Sequence, residues 1–219
     1  CNDNQKVCMK YLYGTMPISD IANYDFSLFL KYVDHALFLR ENTPWCKDIP
    51  EDIFLNHVLY YRINNEDIVD CRRDFYNLCW PRLVNAGKTS SMKEAALELN
   101  YWCFENATYR LTDERTANPL TVLRCAYGRC GEESTFATTV FRSVGIPTRQ
   151  IYTPRWPHCD DNHAWIEVWC DGDWHYLGAC EPEEVLDKGW FTAAASRAMI
   201  IHSRMFSDYV ENEEIVTHE

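Results

Sequence analysis

The chain has 219 residues, with 21 Lys plus Arg against 33 Asp plus Glu, and a formal net charge of −12. Apolar residues at 47% and charged residues at 25% are enough to bury a core, which excludes disorder as the main state. The acidic balance argues against nucleic-acid phosphates as partners, and no apolar run is long enough for a transmembrane segment.

Pro17 and Ser19-Asp20 form a helix entry, and Phe26, Phe29, Leu30, Val33, Leu37 and Phe38 recur at helical spacing. This predicts a helix over 17–40, ended by Asn42-Thr43-Pro44. Similar patterns predict helices over 51–62, over 71–84 with Pro81 as a candidate break, and over 92–109. Asn118-Pro119 reads as the opening of a loop, and Gly128-Arg129-Cys130-Gly131 as a compact turn. A helix over 132–144 follows, with Phe136, Ala137, Val140, Phe141 and Val144 on one face. After Gly145-Ile146-Pro147 the pattern changes to strands at 149–152, 163–170 and 174–177, the last two joined by a turn at Asp171-Gly172-Asp173. Helices followed by antiparallel strands predict an α+β chain, its helical N-terminal half packed on a small antiparallel sheet. The expected division is a helical lead-in over 1–90 and a catalytic core over 91–219.

The eleven cysteines contain no Cys-x-x-Cys pair, which argues against a zinc knuckle. Cys79, Cys103, Cys125 and Cys170 lie in apolar stretches and read as small hydrophobes. Cys1 suits either a chain cut from a longer one, the favoured reading, or a lipoprotein cysteine, which would mean the cell envelope or secretion. Localisation stays open. The acidic runs Glu181 to Glu184 and Glu211 to Glu214 read as solvated faces, and the sequon at Asn106 as incidental on a helix.

Cys130 stands where a glycine-flanked turn meets a helix. Unpaired N–H groups and the helix dipole favour negative charge there, so the thiol is expected to have a depressed pKa and to act as a nucleophile. His163 opens a strand on which His163, Trp165, Glu167 and Trp169 share one face, while Ala164, Ile166, Val168 and Cys170 face the core. A His at that strand edge can serve Cys130 as general base, and the two are expected to meet as an ion pair across a groove. Hairpin arithmetic brings Cys180 or Glu181 beside His163, and Glu181 is the nearby carboxylate on that strand end. The loop around Trp156 reads as a cleft rim. A metal at His158, Cys159, His163 and Cys180 is the weaker reading, because the spacing is irregular.

Gly128-Arg129-Cys130-Gly131-Glu132, the following apolar helix to Arg149, and Asn162-His163-Ala164-Trp165-Ile166-Glu167-Val168-Trp169 resemble a transglutaminase-like core of papain-like type. The first motif, with Ala179-Cys180-Glu181 and Asn118-Pro119, is most similar to the peptide N-glycanase branch. The resemblance covers about 118–191. It implies a Cys130 nucleophile, a His163 base and an acid on the next strand, with acyl transfer from an amide through a thioester. In the family pattern that acid is an Asp shortly after a Trp. Counted from Trp174 its place is Gly178, which leaves Glu181, another carboxylate or a Cys–His dyad. The zinc-binding cysteine pairs usual in the glycanase branch are absent. The expected activity is a thiol-dependent amide-bond hydrolase or acyltransferase, of protease, glycanase or transglutaminase type, with no cofactor. Its substrate would be a peptide, glycopeptide or protein, held by Trp102, Trp156 and Trp165. The alternative is a catalytically silent module that binds peptide or glycan in the same cleft.

Overall fold

The computed structural model describes residues 2–113 and 116–206. The expectations for Cys1 and for Glu211 to Glu214 lie outside the described residues. The N-terminal half runs through α1 (Asp3–Thr15), α2 (Ile18–Asn23) and α3 (Phe26–Asn42). The short α4 (Glu51–Phe54) continues as a π turn at Leu55–Leu59, and α5 (Arg72–Asn85) and α6 (Met92–Asn106) follow. The helix expected over 17–40 is therefore two, because Tyr24 and Asp25 adopt extended backbone between them. Pro81 lies within α5 without ending it, and its ring faces solvent. Water can satisfy a carbonyl left unpaired on that side.

Asn118-Pro119 opens a helix rather than a loop. The Asn118 side chain accepts from Thr121 N, and Pro119 begins α7 (Pro119–Cys125), where its missing N–H costs nothing. On either side of α7, β1 (Thr108–Tyr109) and β2 (Tyr127–Gly128) pair in parallel. Asn106 of the sequon ends α6, and Thr108 lies in β1.

The central helix is α8 (Cys130–Ser143), buried from Gly131 to its end. Its Phe136, Ala137, Val140 and Phe141 have no exposed surface. Burying each phenylalanine contributes about 1.5–3 kcal/mol. The buried hydroxyls of Ser134, Thr135, Thr139 and Ser143 donate to carbonyls one turn back, at 2.6–2.9 Å. That lets a helix with polar residues lie inside the protein.

Beside α8 lies an antiparallel sheet of β3 (Thr148–Thr153), β4 (His163–Cys170), β5 (Asp173–Leu177) and β6 (His202–Ser203), in the order β5-β4-β3-β6. Cys170 pairs with Asp173 across a two-residue turn, whose Asp171 and Gly172 take φ of 56° and 93°. β5 stops at Leu177, opposite Ile166, so its pairing ends before it reaches His163. The segment after Trp190 and Phe191 adds the short α9 (Thr192–Ala195) and then β6, which lies against β3. Ile166, Val168 and Cys170 join the main core, while Trp165 packs with Ile151, Trp156 and Phe191 in a smaller cluster. The ten described cysteines are free thiols, and Cys125 is exposed, unlike the buried Cys79, Cys103 and Cys170.

Candidate active site

Cys130 is the first residue of α8. Three contacts hold this helix start. The Glu132 carboxylate accepts from Arg129 N, Ala117 N and Thr112 Oγ1, at 2.8–3.1 Å. Gln150 of β3 donates to Gly131 O at 3.0 Å and to Ser134 Oγ at 2.7 Å. The backbone N–H groups of Ala164 and Gly131 are directed at the Cys130 sulfur. Burial nevertheless pushes the Cys130 thiol up from 9.0, with Glu133 adding to that effect, while the two N–H bonds and Arg129 oppose it. The expected depression of this thiol does not hold, because burial outweighs the helix terminus.

His163 pairs with Thr153 at the start of β4. Its ring lies 4.8 Å from that of Trp190, 5.1 Å from Phe191 and 6.0 Å from both Trp156 and Trp165. The residue is 8% exposed, and its Nε2 is buried without a hydrogen-bond partner. Burial lowers the imidazole to about 4, against the raising effect of Asp161. The structure places Cys130 and His163 on the wall of one cleft of about 500 Å³. At neutral pH the pair rests as thiol and imidazole rather than as an ion pair, since desolvation disfavours both charges.

Glu181 lines the same cleft. Both its carboxylate oxygens accept from Trp190 Nε1 at 3.0 Å, so the indole holds this carboxylate and then packs on the His163 ring. Burial pushes the Glu181 carboxyl up, and the Trp190 bond opposes that. A Cβ at Gly178 would lie 2.3 Å from Glu181 Oε2. The Glu181 carboxylate thus fills the space that a side chain at 178 would need. Asn100 of α6 holds this turn. It donates to Gly178 O at 2.9 Å and Glu181 O at 3.2 Å, and accepts from Cys180 N at 3.0 Å. Cys180 takes φ of 58°, a strained angle for a side-chain-bearing residue, which this clamp supports.

The expected aromatic residues separate. Trp156 lines the cleft. Trp165 is 3% exposed and lies in the cluster beneath it, stacked on Trp156. Trp102 does not reach the cleft: it packs in the main core against Phe75 and Phe136. Cys180 is buried, while His158 and Cys159 sit on the exposed rim loop. Glu133 and Trp190 are among the cleft residues that were not singled out from sequence. Glu133 lies one turn from Cys130, a spacing that puts both on one helix face and was available as a signal. Trp190 arrives from a loop with no periodic pattern.

Residues 81–179 match the family model described as the transglutaminase-like superfamily. Comparison with curated proteins gives no match. Among solved structures, a candidate cysteine protease from Cytophaga hutchinsonii is 16% identical, with a TM-score of 0.44 over 78% of this chain and 61% of that one. Red sea bream transglutaminase is also 16% identical, with a TM-score of 0.36 over 82% of this chain and 32% of its own. The chain thus spans under two thirds of either protein.

Proposed function

We propose that the protein is a thiol-dependent amide-bond hydrolase or acyltransferase, with Cys130 as nucleophile, His163 as base and Glu181 as the acid that positions the base. The observation carrying this reading is a buried imidazole nitrogen with no partner, in the same cleft as a cysteine at a helix start. In the proposed reaction the imidazole takes the Cys130 proton as the sulfur attacks an amide carbonyl. The N–H groups of Gly131 and Ala164, now directed at the sulfur, are donors for the negative charge that develops. The C–N bond breaks as the imidazolium returns its proton to the leaving amine, and a thioester remains on Cys130. Water or an amine then attacks the thioester, again giving its proton to His163, and the free thiol is restored.

Glu181 would act on His163 through Trp190, whose indole N–H it binds and whose ring lies on the imidazole. The finer placement in the peptide N-glycanase branch rests on Gly128-Arg129-Cys130-Gly131-Glu132 and Ala179-Cys180-Glu181, and brings glycopeptides among the candidate substrates. The protein is incubated with panels of peptide, glutamine-side-chain and glycopeptide amides, and the intact mass is read after a rapid acid quench. The expected result is a covalent acyl adduct on Cys130 that disappears in Cys130→Ala. Turnover retained by Cys130→Ala would refute the assignment. One observation favours the silent-module reading: no carboxylate among the described residues bonds His163 Nε2. That reading predicts binding without an adduct.

A further inference from the structure

The cleft has two unequal wings that meet at Cys130. One, of about 370 Å³, is lined by the amides of Asn64, Asn65 and Gln150 and by Arg204. The other, the 500 Å³ cleft holding His163, is lined by Glu133, Asp161 and Glu181 and walled by Trp156 and Trp190. The two indoles meet at 67°, with centroids 6.4 Å apart, and form a corner. Glu133 is 4% exposed and lines this wing. Its neighbours in charge are the carboxylates of Glu181 and Glu132. Arg129 is the one basic side chain among the described residues of this wing besides His163, and it is shared with the other wing.

Burial beside the Glu181 and Glu132 carboxylates keeps Glu133 protonated in the free protein, and a cation seated next to it would stabilise its ionised form. An indole corner supplies faces that attract one. Carboxyls facing a pair of indole rings suit an organic cation, whose charge the carboxyls meet and whose stem packs on the rings. We propose that this wing binds the ammonium or guanidinium of a basic side chain, carried by a peptide next to the amide that Cys130 attacks. The cation would sit in the corner of Trp156 and Trp190, with Glu133 and Glu181 facing it. The placement beside the attacked amide rests on the proposed activity, while the cation preference does not.

The test uses the Cys130→Ala protein, which binds without reacting. Blocked alanine pentapeptides with arginine, citrulline or glutamate at the centre are titrated by tryptophan fluorescence. Citrulline matches arginine in shape and lacks its charge. The arginine peptide is expected to bind roughly tenfold tighter than the citrulline peptide, with the glutamate peptide weakest. Adding Glu181→Gln or Glu133→Gln, each checked for a native circular-dichroism spectrum, is expected to shrink that ratio to about threefold or less. Equal binding of arginine and citrulline, no binding of the arginine peptide, or a ratio unchanged in both variants would overturn the proposal. An arginine preference in Cys130→Ala together with no adduct in the native protein would retain the binding site and reject the activity.

Discussion

Glu133→Gln isolates the cost of a buried acid in the cleft. Burial, then the Glu181 and Glu132 carboxylates, push the Glu133 carboxyl from 4.5 up to about 8. Around it stand Cys130 and Arg129 at the helix start, Cys180 from the 178–181 turn, and Tyr109, Asp113, Asp161 and His163 along the cleft. In the folded protein Glu133 keeps its proton up to about pH 8, whereas the unfolded chain releases it near 4.5. The folded state therefore binds more protons across that window, and stability falls as pH rises through it. At about 1.4 kcal/mol per pH unit, the whole window is worth on the order of 5 kcal/mol. Glutamine has the same shape and no proton to lose, so the variant should lack this slope. The buried His35 and His163, lowered to about 3 and about 4, act in the opposite sense below about 6.5 and cancel in the comparison. Urea unfolding of both proteins at pH 5, 6, 7, 8 and 9 measures the difference. The variant should gain steadily on the native protein from pH 5 to 8, and level off above. Parallel stability curves would refute the placement of Glu133 as a buried acid.

Cys125 and Cys159 are exposed, while burial raises the Cys130 thiol, so iodoacetamide at neutral pH should label the first two before Cys130. Peptide mapping after timed alkylation reads the order, and the Cys130 rate should still be climbing at pH 9. With His163 lowered to about 4, the acid limb of kcat/KM should fall near that pH, and a limb at 6.5 would mean a solvated imidazole. Asn100→Leu removes the clamp on Gly178, Cys180 and Glu181 and leaves buried backbone groups unpaired, a loss of about 1–3 kcal/mol each, read by urea denaturation. Gly178→Ala places a Cβ 2.3 Å from Glu181 Oε2 and should displace that carboxylate from Trp190. A fall in activity with less than about 3 kcal/mol lost in stability is the expected outcome. Unchanged activity would remove Glu181 from the mechanism.

Much of this arrangement is legible in the residues, for identifiable reasons. The alternation from His163 to Cys170 marks β4 because its two faces meet different packing, main core on one side and the Trp165 cluster on the other. α8 is legible from its apolar face even though it is buried all round, since the hydroxyls of Ser134, Thr135, Thr139 and Ser143 are satisfied within the helix. α1 escaped because it buries only Cys8, Met9 and Leu12, while its Val7 is exposed and breaks the apolar stripe. The capping role of Asn118 was hidden by reading Asn-Pro as a turn signal, when the same pair also starts helices. Cys130 and His163 stand out by residue type and position. The partner of Glu181 does not, because it depends on a turn with a positive φ at Cys180 and on an irregular loop that returns Trp190 to the cleft.

The replacement at Gly178 gains a physical account from that geometry. An acid attached at 178 would be fixed by the end of β5. Glu181 instead enters the same space from beyond a strained turn, clamped by Asn100 from α6. Its carboxylate is then committed to the Trp190 indole, while burial keeps the imidazole neutral and His163 Nε2 has no hydrogen-bond partner. Among the described residues no carboxylate bonds His163 Nε2, so an imidazolium there would be stabilised by the charge of Asp161 and by the Cys130 thiolate formed with it. A cation seated near Glu181 would compete with Trp190 for that carboxylate. The occupancy of the aromatic corner and the orientation of His163 are therefore coupled through one side chain. In Glu181→Gln that coupling should vanish, so that arginine and citrulline substrates converge in kcat as well as in KM. Convergence in KM alone would mean that the corner only holds substrate and does not adjust the base.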